Sequence, residues 1–168
     1  MGRYRPPAPK SSPYITPAGF RRLQEEEQAL WKTRAEVTKA LSAAAAEGDR
    51  SENAEYIYRK KQLREIDRRI RYLQKRLPDL RLVSEPPSDP EKVYFGAWVT
   101  LDNEAGAEQR FRIVGADELD PEHNWISLDS PLARALLGKG IDEEIRVTTP
   151  NGVDGYIITA IDYGSDSG

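Results

Sequence analysis

Cysteine is absent from this 168-residue chain, and histidine and methionine each occur once. Without cysteine there is no disulfide framework, no thiolate nucleophile and no thiolate zinc site. The lone histidine, His123, rules out an HExxH metal motif, and any Ser-His-Asp triad would have to use it. No apolar run approaches the ~20 residues that span a bilayer, so no membrane partner is expected. The stretch Met1–Tyr14 is basic and rich in proline but lacks the hydrophobic core of a secretory signal. A soluble, cytoplasmic protein is expected. Apolar residues make up only 38% of the chain and charged ones 32%, which argues against one large core. A long hairpin beside a small domain suits those proportions better.

The formal net charge of −3 conceals a separation along the chain. Residues 1–15 carry 3 basic groups and no acidic one, and residues 16–77 carry 15 basic and 10 acidic. Residues 78–92 carry 2 basic and 4 acidic, and residues 93–168 carry 5 and 14. The first half is therefore suited to meet a polyanion and the second half to repel one. Between them, Ser84 to Pro90 holds three prolines and no apolar period, as a stiffened linker would. The expected organisation is a disordered extension over 1–14, a helical domain over 15–80, a linker over 81–92 and a globular domain over 93–164.

In the first segment Phe20, Leu23, Glu27, Leu30, Arg34, Val37, Leu41 and Ala44 step by three and four. Leu63, Ile66, Ile70, Leu73 and Leu77 repeat that spacing without a polar break. This is the seam of a coiled coil. Thr16 before Pro17 predicts a helix start, and Pro78 a helix end. The short polar stretch Ala46–Ser51, with Gly48 placed to end a helix, predicts an antiparallel pair of helices. About 30 residues per helix gives an arm of roughly 45 Å, long enough to suggest reach. A dimerisation or spacer coil fits the pattern too.

Asp49 and Glu52 stand three apart where the second helix should begin. Their spacing favours a capping-box-like pair, with Asp49 as N-cap and Glu52 at the third helical position. The other reading is that two carboxylates at the end of an arm share one hard cation. Magnesium takes one or two protein carboxylates and fills the rest of its shell with water or phosphate oxygen. Two ligands are too few for a tight site, so the ion would be held jointly with a partner.

Between Tyr56 and Leu77 there are 9 basic groups against 2 acidic. Lys61, Arg64, Arg68, Arg71 and Lys75 step along one helix face, with Tyr56, Tyr58 and Tyr72 interleaved. A solvated flank looks similar, but this excess favours contact with backbone phosphates, and tyrosines can stack on single-stranded bases.

After the linker the period changes to strands: Val93–Leu101, Gln109–Val114, Trp125–Leu128, Ile145–Thr148 and Tyr156–Ile161. A short helix is expected over Leu132–Leu137, opened by Ser130 and Pro131. The fold class is α+β, a helical hairpin followed by a small, mostly antiparallel sheet with one short helix. No catalytic constellation is visible in this module, and His123 sits in a polar loop. The turn Asp129–Arg134 is open to two readings, a docking site or a helix capped by Ser130.

Five stretches carry a family resemblance: Gly48–Tyr56 (GDRSENAEY), Leu63–Leu73 (LREIDRRIRYL), Phe95–Val99 (FGAWV), Arg110–Gly115 (RFRIVG) and Asp129–Leu137 (DSPLARALL). On these the chain resembles the bacterial Gre family of transcript cleavage factors, its GreB branch more than its GreA branch, over roughly residues 14–163. The dense basic run is the feature that favours GreB. The resemblance implies an antiparallel coiled coil and a C-terminal domain of FKBP-like fold. It implies that the globular domain binds RNA polymerase, that the coiled coil enters the secondary channel, and that the tip reaches the active centre. Asp49 and Glu52 fall on the family's two essential acidic positions, supplied in trans with a Mg²⁺ shared with the polymerase and not bound stably alone. Arg59, Lys60, Lys61, Arg64, Arg68, Arg69 and Arg71 fall where the extruded RNA 3′ end is held. Asp129, Ser130, Pro131, Leu132 and Arg134 fall in the region of polymerase docking. The implied activity is to stimulate the polymerase's own cleavage of backtracked RNA, as a monomeric factor and not itself an enzyme. The alternative is a secondary-channel regulator without cleavage activity. The extension Met1–Ser12 and the proline-rich linker depart from the family pattern; neither touches the tip.

Overall fold

The computed structural model describes residues 10–48 and 53–164. It divides into two compact units, one made of Ala18–Leu80 and the other of Met1–Pro17 together with Arg81–Gly168.

The first unit is two helices, α1 (Pro17–Ala45, 29 residues) and α2 (Ala54–Arg76, 23 residues). At 1.5 Å per residue they are about 43 Å and 35 Å long. Pro17 occupies the first helical position, where its missing N–H costs nothing. Lys75 and Arg76 lie in the last turn of α2, where positive charge complements the helix dipole. A 3₁₀ turn over Leu77–Asp79, containing Pro78, then ends the run.

The side-chain links between the helices fix their direction. Glu26 meets Arg69, Arg34 meets Asp67, and Ala44 meets Asn53, so as one number rises its partner falls. The helices are antiparallel, as the short turn predicts. Val37, Ile66 and Ile70 are buried between them, with Leu30 and Leu63 packed alongside. Arg34 breaks the apolar seam of α1, and the Asp67 carboxylate answers it at 2.6 Å. A polar seam position met by a charged partner fixes register better than it adds stability.

The second unit is built on a five-stranded sheet. Its strands are β3 (Trp98–Asn103), β4 (Glu108–Val114), β5 (Trp125–Ser127), β6 (Glu144–Thr149) and β7 (Gly152–Asp162), in the order β5-β4-β3-β7-β6. Only the β4–β5 pair is parallel; the others are antiparallel. The short helix α3 (Pro131–Leu136) follows β5 and sends Ala133 and Leu136 into the core. Val93, Val99, Leu101, Ile113 and Ile158 join them, all fully buried. Each such side chain contributes roughly 1.5–3 kcal/mol relative to exposure. The strand expected from Val93 starts later, at Trp98: Gly96 takes a φ of 87° and turns the chain, and Val93 bonds instead to the backbone of Gly138 and Lys139.

A two-stranded parallel sheet completes this unit, with β1 (Tyr14–Ile15) beside β2 (Arg81–Leu82). The extension expected to be disordered through residue 14 is therefore held at its far end. Ser12 gives its backbone N–H and its hydroxyl to the Asp129 carboxylate, the former at 2.9 Å. The Arg81 N–H donates to the Pro13 carbonyl at 2.8 Å, and the Val83 N–H to the Ile15 carbonyl at 2.9 Å. The buried Glu118 carboxylate accepts from the Thr16 hydroxyl, from the Thr16 N–H at 3.2 Å and from the Gly115 N–H at 2.8 Å. Gly115 has to be glycine here, since a Cβ would overlap the Tyr14 carbonyl oxygen.

Candidate functional site

The turn between α1 and α2 is where the acidic pair falls. Asp49 and Glu52 themselves lie outside the described residues; the ends that flank them are defined. Helix α1 closes with the Ala46 N–H on the Ser42 carbonyl at 3.3 Å and the Glu47 N–H on the Ala44 carbonyl at 3.2 Å. Gly48 then takes a φ of 134°, a conformation that L-residues adopt only under strain.

Helix α2 opens at Asn53, which corrects the capping role that spacing assigned to Asp49. The Asn53 side-chain oxygen accepts from the Tyr56 N–H at 3.1 Å, and its backbone sits at φ −85°, ψ 100°, outside the helix. Its amide N–H also donates to the Ala44 carbonyl at 2.8 Å. An asparagine can do both because its amide carries a donor and an acceptor, whereas an ionised aspartate only accepts. The same residue thus caps one helix and bonds a carbonyl in the last turn of the other. Asn53 was missed in the sequence because Asp49 and Glu52 imitate the capping-box interval.

The basic side chains behind the turn differ in what they already touch. Arg59 is engaged locally, with Glu55 at 2.8 Å and Gln62 at 3.0 Å, and its guanidinium lies 5.5 Å from the Tyr58 ring centre. The Lys60 ammonium lies 5.8 Å from the Tyr56 ring centre. Arg69 makes a two-pronged bond to Glu26, at 2.6 and 3.0 Å, and stacks 5.2 Å from Tyr72. That fork serves the hairpin. Lys61, Arg64, Arg68, Arg71 and Lys75 are exposed and pair with no carboxylate among the described residues. Positions 61, 64, 68, 71 and 75 form one continuous cationic line along α2.

In the globular unit the turn Asp129–Arg134 is divided in the same way. The Asp129 carboxylate is occupied by Ser12. The Ser130 hydroxyl accepts from the Ala133 N–H at 3.2 Å and caps α3. Leu132 packs against the core, while Pro131 and Arg134 are exposed. His123 is also exposed, with Nδ1 2.6 Å from the Asp120 carboxylate, and that contact holds the Asp120 pKa below its ordinary value. The Tyr163 hydroxyl accepts from the Tyr94 N–H at 2.7 Å and donates to the Lys92 carbonyl. Burial pushes its pKa up. No group of three or more metal-binding side chains exists among the described residues. No helix among them is long and apolar enough to cross a membrane.

Two family descriptions match the chain. Residues 13–82 match "Transcription elongation factor, N-terminal", and residues 87–163 match "Transcription elongation factor, GreA/GreB, C-term". The chain is 58% identical over 164 residues to transcription elongation factor GreB of Pseudomonas aeruginosa, covering 97% of this chain and 98% of that one. It is 59% identical over 153 residues to GreB of Pasteurella multocida, covering 90% and 97%. Among solved structures, the transcription factor Gfh1 aligns over 88% of this chain and 96% of its own, with a TM-score of 0.43 and 24% identity. A GreA/GreB factor of Nitrosomonas europaea aligns over 90% and 100%, with a TM-score of 0.41 and 19% identity.

Proposed function

Because the chain belongs to the GreA/GreB family of transcription elongation factors, we propose that it binds RNA polymerase and stimulates the polymerase's own cleavage of backtracked RNA. The helical arm enters the secondary channel, and Asp49 and Glu52 arrive at the polymerase active centre. The RNA 3′ end, displaced by backtracking, lies along the cationic line of α2. Cleavage leaves a new 3′ end in register and lets synthesis resume in the bacterial cytoplasm. The factor alone hydrolyses nothing.

The observation that carries this reading is the cap at Asn53. The carboxylates that spacing would have spent on starting α2 are not needed there. Two aspartate or glutamate groups are the number of protein ligands magnesium takes when most of its shell is water or phosphate oxygen, so the donor set fits a shared ion and not a private one. Such an ion, when bound, lowers the pKa of a coordinated water and offsets charge on the reacting phosphate. Asp49 and Glu52 have the remaining work: they orient the attacking water and place negative charge where a cation is wanted. The globular unit does not compete for RNA, since residues 93–168 carry 5 basic and 14 acidic groups.

A stalled, backtracked elongation complex tests this directly. Wild-type protein is expected to give Mg²⁺-dependent cleavage, lost in Asp49→Asn and in Glu52→Gln while polymerase affinity is retained. Normal cleavage by both variants overturns the metal role. Tight polymerase binding without any cleavage by wild type leaves the regulator reading in its place.

A further inference from the structure

Trp31 has no reason to be at the surface of α1 on packing grounds. Leu30 and Val37 supply the seam contacts there, and Trp31 remains 46% exposed. It borders an open groove of about 440 Å³ on the flank of the hairpin, lined also by Arg34, Asp67, Ile70, Arg71 and Gln74. The groove is braced on one side, where the Arg34 guanidinium sits 5.9 Å from the Trp31 ring centre and is pinned by Asp67 at 2.6 Å. That ion pair cancels its own charge. Arg71 contributes a positive charge with no carboxylate partner among the described residues, and it belongs to the cationic line running from Lys61 to Lys75. The groove is thus an aromatic face beside a row of cations, with the Gln74 amide offering one donor group and one acceptor.

We infer that this groove is a base-stacking site for single-stranded RNA, with Trp31 as the platform and Arg71 as the phosphate contact. The inference rests on the reading that RNA follows the arm, and it adds a residue of the first helix to a surface so far confined to the second. Stacking on an indole tolerates any base, and a neighbouring guanidinium follows the backbone. An acidic protein segment would satisfy Arg71 but would not use the exposed indole face in the same way. Trp31 lies 14 residues before the end of α1 at Ala45, about 21 Å along the helix. Only a 3′ segment long enough to run that distance back from the turn can reach it.

The test measures binding of a fluorescent oligouridylate to the full chain by anisotropy at several salt concentrations, with polymerase affinity measured in parallel. Trp31→Ala is expected to weaken RNA binding about ten-fold, as loss of one stacked base does. Trp31→Phe is expected to recover most of that loss. Trp31→Ala should leave the dependence of log K on log salt unchanged, whereas Arg71→Ala should reduce its slope by about 0.7. Circular dichroism of each variant should match wild type, since the indole is half outside the packing. Wild-type RNA affinity in Trp31→Ala, alongside a loss in Arg64→Ala or Arg68→Ala, overturns the groove and leaves the proposed function standing. Reduced polymerase affinity with unchanged RNA affinity makes it a protein-docking surface and also overturns it. Absence of RNA binding by wild type at low salt overturns it as well, and the cleavage assay then decides the wider reading alone.

Discussion

Asn53 holds Ala44 across the turn of the arm, its amide N–H 2.8 Å from the Ala44 carbonyl oxygen. The same side chain accepts the Tyr56 N–H, so the end of one helix and the start of the next share a single residue. Whatever the turn presents to a partner, it is presented from ends that cannot fray independently.

Asn53→Ala removes both bonds and is expected to cost about 1 kcal/mol in the hairpin. Asn53→Asp keeps the cap but cannot donate to Ala44, and should fall between alanine and wild type. Helicity by circular dichroism orders the three proteins on stability. Cleavage of backtracked RNA should follow the same order, because a loosened turn holds Asp49 and Glu52 less well.

Within the basic run the free and the engaged arginines are expected to behave differently. Arg64→Ala, Arg68→Ala and Arg71→Ala together should impair action on long backtracked RNA more than on short, with little change in stability. Arg69→Ala should instead lower stability by a few tenths of a kcal/mol, since its fork to Glu26 is half exposed. Glu26→Ala should reproduce the Arg69 effect. Equal loss on short and long RNA in the triple variant would remove the case for RNA holding.

Gly115→Ala is expected to destabilise the globular unit by about 2 kcal/mol, because the new methyl overlaps the Tyr14 carbonyl and forces β1 away. The φ of −69° at Gly115 suits alanine, so the effect is one of space alone. A melting temperature equal to wild type would show that β1 is not seated there in solution.

Tyr163 links its fold contribution to high pH. Its pKa is raised, so the folded state favours the neutral phenol. The contribution is complete below the ordinary tyrosine value near 10 and is lost as pH rises through the raised one. Tyr163→Phe removes the bonds to Lys92 and Tyr94 and should cost about 1 kcal/mol at neutral pH. Urea midpoints of variant and wild type should converge as the solution is made strongly alkaline.

The hairpin was legible because its apolar interval repeats many times and each repeat votes for the same face. Arg34 was legible as an interruption of that face, but its partner was not, since several carboxylates lie within helical reach and only the register selects Asp67. The tip misled for a related reason: Asp49 and Glu52 have the interval of a capping box, and an interval does not say which residue leaves the helix. In the globular unit the alternation of β4 showed where that strand runs and Ser130 marked the start of α3, whereas the apolar run from Val93 hid the turn at Gly96. The β1–β2 pair carried no signal at all. Two residues per strand are too few to show a period, and pairing Tyr14 with Arg81 joins segments far apart in the chain. Trp31 lies off the stepped apolar positions and carried no signal in the sequence; only the side chains of the opposite helix make it the wall of a groove.

Parallel strands cannot be joined by a tight turn; they need a crossover. Between β1 and β2 that crossover is the whole of α1 and α2. The chain therefore leaves β1, runs through both helices and returns to pair as β2. Matched turns added to or deleted from both helices would change how far the acids are carried while Tyr14 and Arg81 stayed paired, which makes reach an adjustable dimension in this architecture.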